Sequence, residues 1–336
     1  MNTQVETADT GETTATLVRG VSLALLAFFL FDSMGAIVKY LGADYPAQQM
    51  SMYRNLFGLI PSMLVLAFSA SWHAAGRPII IRQWRLGLLR GAFIAVAQYC
   101  FYSSLVHLEF ATAVTLSFIA PVFVTALSVP ILKTRVGMWS WIAVAVGFSG
   151  VLMVMRPGTE IFDVYSVLPL GAALGYALAA VTVRRLDDDV PNATVNLYST
   201  VGALFGATVF VLSTDGYVPV ASAHDWMWIV IMGCCGGLAV LALVGAYRTA
   251  PPSSIAPFEY FGIPISFTIG YVIFDEAPFD TLFPGVLFIV GGGLLIFWRQ
   301  GLRDKRARES EQAENQAANA WNANPANIDP ANAKNR

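Results

Sequence analysis

From about residue 20 to residue 299 the chain repeats one pattern: an apolar stretch of about twenty residues, then a short polar connection. The pattern predicts ten membrane-spanning helices, at about 20–42, 46–69, 86–106, 111–132, 137–155, 166–183, 193–213, 226–247, 254–274 and 281–299. Several are short, but about 17–25 residues suffice to cross the hydrocarbon core. The expected fold class is an all-α integral membrane protein, with no soluble domain inserted in the connections.

Composition agrees. Of 336 residues 56% are hydrophobic and 12% charged, about half the charge of an ordinary soluble domain. The net charge of −2 points away from nucleic acid. Cys100, Cys234 and Cys235 sit in apolar runs without metal or redox spacing and read as small fillers. The three histidines lie in separate connections. No metal or cofactor is expected. Residues 1–18 are polar, with three acids and no Lys or Arg, unlike the start of a cleaved signal peptide. The Ala/Asn-rich residues 302–336 read as a disordered tail.

Lys and Arg set the orientation. With the N-terminus in the cytoplasm, the inner connections collect Arg77, Arg82, Arg85, Lys133, Arg135, Arg184, Arg185, Arg248 and the cluster from Arg299 to Arg308. The outer ones keep Lys39 and Arg156. Both termini are therefore expected in the cytoplasm, and the protein in the cytoplasmic (inner) membrane.

A shift of 143 residues lays 112–133 on 255–276. Ala113, Phe118, Pro121, Thr125 and Val129 then meet identical residues at 256, 261, 264, 268 and 272. The same shift pairs Gly150 with Gly293, Leu152 with Leu295 and Arg156 with Arg299. The expected division is a polar segment 1–18, a five-helix repeat 19–158, a second repeat 159–301 and the tail 302–336. Five is odd, so the second repeat enters the membrane inverted, as in transporters whose substrate sits between the halves.

Four charges lie inside predicted spans, where each costs roughly 2.5–3.5 kcal/mol: Asp32, Arg54, Arg90 and Glu259. Asp32 and Arg54 lie at matching depth, about 15 and 12 Å below the outer ends of their spans at ~1.5 Å per residue. They read either as a structural ion pair or as a substrate-binding pair in which Arg54 takes a carboxylate. Arg90 reads as a topological charge, and Lys39 as a surface charge that snorkels. Gln98, Tyr99, Tyr102, Thr115, Tyr176 and Tyr260 are candidates to line an amphipathic pocket; interhelical hydrogen bonding is the alternative for each. Glu259 has Leu116 as its repeat mate, so the fold does not need a carboxylate there. It can carry a proton or attract a cationic group, or be a buried Glu bonded to a neighbouring helix. Pro121, Pro130, Pro257 and Pro264 should kink the fourth and ninth spans, with Pro121 and Pro264 as gate elements. Small-xxx-small runs such as 87–91 and 202–206 favour close helix packing, or a homodimer face.

"YRNLFG" in the second span and "FEYFGIPISFTIGYVIFDE" in the ninth resemble the EamA type of the drug/metabolite transporter superfamily. Asp275 stands where that family usually has glycine, and Lys133 where the fourth span usually ends in an acid. The resemblance implies a secondary transporter without enzymatic activity that moves an amino acid, vitamin, nucleoside-like metabolite or amphipathic drug, most often outward. Expected partners are a small-molecule substrate, the lipid bilayer and a proton gradient, for a monomer or homodimer. A receptor or scaffold is the competing class.

Overall fold

The computed structural model describes residues 3–74, 76, 82–133, 138–156, 163–183, 185, 192–214, 216–249, 255, 258–296, 298, 302, 310 and 313. Pro257, the basic cluster around Arg299–Arg308 and nearly all of the tail lie outside the described residues. Among those described, secondary structure is helical and no strand occurs.

Among the described residues, helices occur in every predicted window: α1 (Thr3–Leu41), α2 (Ala47–Phe68), α3 (Trp84–His107), α4 (Phe110–Leu132), α5 (Met138–Met155), α6 (Val167–Val183), α7 (Asn192–Ser213), α8 (Ala223–Thr249), α9 (Gly262–Phe274) and α10 (Gly285–Ile296). Six of these segments are long and apolar enough to cross a bilayer on their own; α9, α10 and the apolar part of α5 are shorter. The 24-residue α3 is long enough but carries Arg85 and Arg90. The N-terminal polar residues extend α1, which begins at Thr3.

Phe68, Phe205, Leu212, Val272 and Leu287 are more than half exposed, the pattern of a surface solvated by lipid tails rather than water. Trp84, Trp139 and Trp141 lie towards the predicted inner ends of their spans, and Tyr217, Trp226 and Trp228 towards the outer ends, as an aromatic belt requires.

Lipid offers helices little hydrophobic reason to associate, so glycines set the packing. A Cβ on Gly91 of α3 would lie 2.6 Å from the Cα of Gly202 of α7, and one on Gly292 of α10 would lie 2.8 Å from the Cα of Gly147 of α5. The pairings also exchange under a step of five helices. α1 packs on α8 as α6 packs on α3, and α2 packs on α8 as α7 packs on α3. α2 meets its own counterpart α7, and α4 meets α9.

The prolines do more than kink. α4 is two pieces, Phe110–Ser117 and Ala120–Leu132, separated by a turn at 118–119. α9 begins at Gly262, directly after a turn at 260–261. Pro121 and Pro264 each fall in the first turn after the break, where a missing N–H costs little. The carbonyl of Tyr260, which Pro264 deprives of the usual helical donor, accepts from the N–H of Ile263 at 3.1 Å.

Both helices end on a left-handed residue, Lys133 (φ 55°) and Asp275 (φ 56°). Lys133 is thus the counterpart of Asp275, one residue off the 143-residue register, and not of the acid that follows it. Glycine suits that position because it enters the left-handed region without steric cost.

Candidate functional site

The breaks in α4 and α9 face each other. The rings of Phe118 and Tyr260 pack at 5.5 Å between centroids. A Cβ on Gly262 would meet Phe118 Cζ at 2.9 Å and Asp32 Oδ2 at 3.5 Å, which places the Asp32 carboxyl of α1 against the start of α9. Asp32 is 7% exposed. The Tyr260 hydroxyl reaches α10, where it fills the space a side chain on Gly293 would need.

Buried polar atoms in a membrane protein nearly always find partners. Among the described residues four buried side-chain atoms do not: Asp32 Oδ2, Arg54 Nε, Thr115 Oγ1 and Tyr260 OH. All four belong to residues singled out from the sequence. Glu259, half-buried, precedes Tyr260 at the same break.

The second cluster surrounds Arg54. Its Nη1 donates to Asn55 Oδ1 at 3.0 Å. Asn55 Nδ2 donates to Gln98 Oε1 at 2.7 Å, and Ser51 Oγ donates to the same oxygen at 2.8 Å. Asn55, Gln98 and Ser51 are essentially inaccessible, so this network fixes one edge of the guanidinium. The other edge lies against Gly236 of α8, where a Cβ would sit 2.9 Å from Nε and 2.7 Å from Met34 Sδ. Tyr102 points its hydroxyl at Met34 Sδ, 3.9 Å away. Tyr176 is near enough to Arg54, Tyr102 and Cys100 to feel their charges, yet is 36% exposed.

Several expectations change here. Asp32 and Arg54 do not form an ion pair; the ion pairs among the described residues are Lys39–Glu276 and His224–Asp225. Gln98 is spent on Ser51 and Asn55 and positions Arg54. Tyr99 stands apart, its ring stacked at 5.4 Å on Phe210 of α7, beside an apolar groove between α3 and α7. Arg90, read as a topological charge, also bonds across helices. It donates to the carbonyl of Ala179 at 3.2 Å and to the hydroxyl of Ser199, joining α3, α6 and α7.

Lys39 does not simply snorkel. Its Nζ lies 2.5 Å from Glu276 Oε1, donates to the carbonyl of Leu108 at 2.7 Å and stands over the Phe274 ring. Glu276 Oε2 in turn accepts from the N–H of Phe110 at 2.7 Å, capping the N-terminus of α4. Glu109 sits beside this group, its carboxyl raised above the ordinary range by burial first and then by the nearby charge of Glu276. Missed in the sequence were Asn55, Phe118 and the Lys39–Glu276 pair. Asn55 carried a signal: a second polar residue beside Arg54, one turn after Ser51.

Broken, glycine-packed helices with polar groups gathered at the breaks define a class, that of membrane transporters with discontinuous helices. Comparison with known proteins agrees. Residues 18–156 match the EamA-like transporter family. The pseudopaline exporter CntI of Pseudomonas aeruginosa is 27% identical over 280 residues, 82% of this chain and 94% of that protein. An S-adenosylmethionine uptake transporter of Rickettsia felis is 23% identical over 296 residues, covering 88% and 98%. An uncharacterized transporter of Helicobacter pylori is 28% identical over 294 residues, covering 84% and 95%. One crystal structure shares the fold, with a TM-score of 0.56 at 16% identity over 84% of this chain and 97% of that one. The chain thus resembles EamA-like transporters: the family model matches residues 18–156, and the relatives that span most of it are transporters.

Proposed function

We propose that this protein is a secondary transporter of the cytoplasmic membrane that moves a small amphipathic metabolite by alternating access. Two inverted five-helix repeats, 19–158 and 159–301, rock about the facing breaks in α4 and α9, with both termini in the cytoplasm. One observation carries the reading: helices broken at corresponding positions meet at Phe118 and Tyr260, and the described buried polar atoms without partners belong to residues at those breaks or on α1 and α2. Packing alone does not need unpartnered polar groups inside a membrane, whereas a substrate site does. The exchange of helix pairings under a five-helix step supports the repeat.

Export is the first reading and is shared with the pseudopaline exporter; import is the second, favoured by the uptake transporter among the relatives. Small molecules inside and outside cells that overexpress or lack the gene decide between them. At least one metabolite should shift in opposite senses in the two strains, and purified protein in vesicles should carry it. No metabolite shifting in either strain would overturn the transporter reading.

A further inference from the structure

We infer that Asp32, Phe118 and Tyr260 form a subsite for an organic cation, an ammonium or sulfonium head group. The inference rests on the transporter reading and specifies what its cavity recognises. Asp32 is nine-tenths buried and its Oδ2 has no hydrogen-bond partner. No described basic side chain lies within ion-pair distance of it: Lys39 is paired with Glu276, and Arg54 is turned to Asn55. A carboxylate left without a counter-charge at this depth is costly, and a cationic ligand supplies what the protein does not.

The surroundings fit that charge. Asp32 Oδ2 and the Phe118 ring both border Gly262, whose missing side chain lets them approach the start of α9 closely. The Tyr260 ring packs on Phe118, and its hydroxyl is unpartnered. Aromatic faces beside a carboxylate attract a diffuse cation through their quadrupoles, and desolvation strengthens the attraction. A small hydrated metal ion would call for several oxygen ligands, and rings do not provide them. An anion would meet repulsion from Asp32.

The test uses the purified full chain in nanodiscs and three probes: benzyltrimethylammonium, uncharged 3,3-dimethylbutan-1-ol and anionic 3-phenylpropionate. The cation should bind saturably, at least about ten-fold more tightly than either other probe. Asp32→Asn should weaken it about ten-fold or more while leaving the unliganded protein at least as thermally stable. Phe118→Leu should weaken it several-fold, and Phe118→Tyr should keep it. Equal binding of all three probes, no saturable binding of the cation, or binding unaffected by Asp32→Asn would each overturn the inference. Should Asp32→Asn fail to fold, the ranking of the probes on the unmodified protein decides alone. Metabolite shifts in the overexpressing and deletion strains stand independently of these results, so a failed cation site and a failed transporter reading are told apart.

Discussion

Tyr260 and Gly293 show how one hydroxyl fixes one glycine. The Tyr260 oxygen occupies the position of any Cβ at 293, so Gly293→Ala overpacks the contact between α9 and α10. Such a change costs about 1–3 kcal/mol. Thermal unfolding in detergent should show the loss, and adding Tyr260→Phe should recover part of it; an unchanged midpoint in the single variant would mean the contact is slack. Glu109 gives a pH test. Its folded pKa is raised above 4.5, so the folded chain holds the proton more tightly than the unfolded one. The stabilisation from that proton is complete below 4.5 and lost as pH rises through the raised value. Ionised Glu109 therefore opposes folding at neutral pH, and Glu109→Gln should unfold at a higher temperature there. The advantage should vanish on acidification below the ordinary carboxylate range; an advantage constant with pH would contradict the assignment. At this scale the sequence told much. Asp32 and Arg54 stood out as costly charges in apolar runs, and Thr115 and Tyr260 as candidate pocket-lining groups, which are properties of the residues themselves. Whether Asp32 and Arg54 touch depends on how α1 and α2 rotate about their axes, and matching depth alone does not set rotation.

The helices divide along the same line. Apolar length predicted where α1 to α10 run, because the bilayer imposes it. The proline and glycine phase revealed that the fourth and ninth spans correspond. The breaks were read as kinks, since a proline in a sequence looks the same at the first turn of a helix as in its interior. The partners of Arg90 and Lys39 were missed for a related reason: depth along a span says nothing of which carbonyl or carboxylate the next helix brings. If the break in α4 serves the site, Pro121→Ala together with Phe118→Ala lets the helix run through. That variant should remain monodisperse in detergent and lose most transport of whatever metabolite the strains identify; full flux with intact folding would remove the break from the mechanism.

For the whole molecule the orientation comes first, because an inverted repeat requires its halves to face opposite ways. A reporter fused after Arg308 should be active only in its cytoplasmic form, and one fused in the 216–222 connection only in its periplasmic form. The central claim, alternating access, is tested most directly at Tyr176, which lies close to Arg54 and is 36% exposed. With Cys100, Cys234 and Cys235 replaced by alanine, Tyr176→Cys is treated with a membrane-impermeant maleimide in right-side-out and inside-out vesicles. The account predicts labelling from both faces. Labelling from neither face, or from one face under every condition, would contradict it.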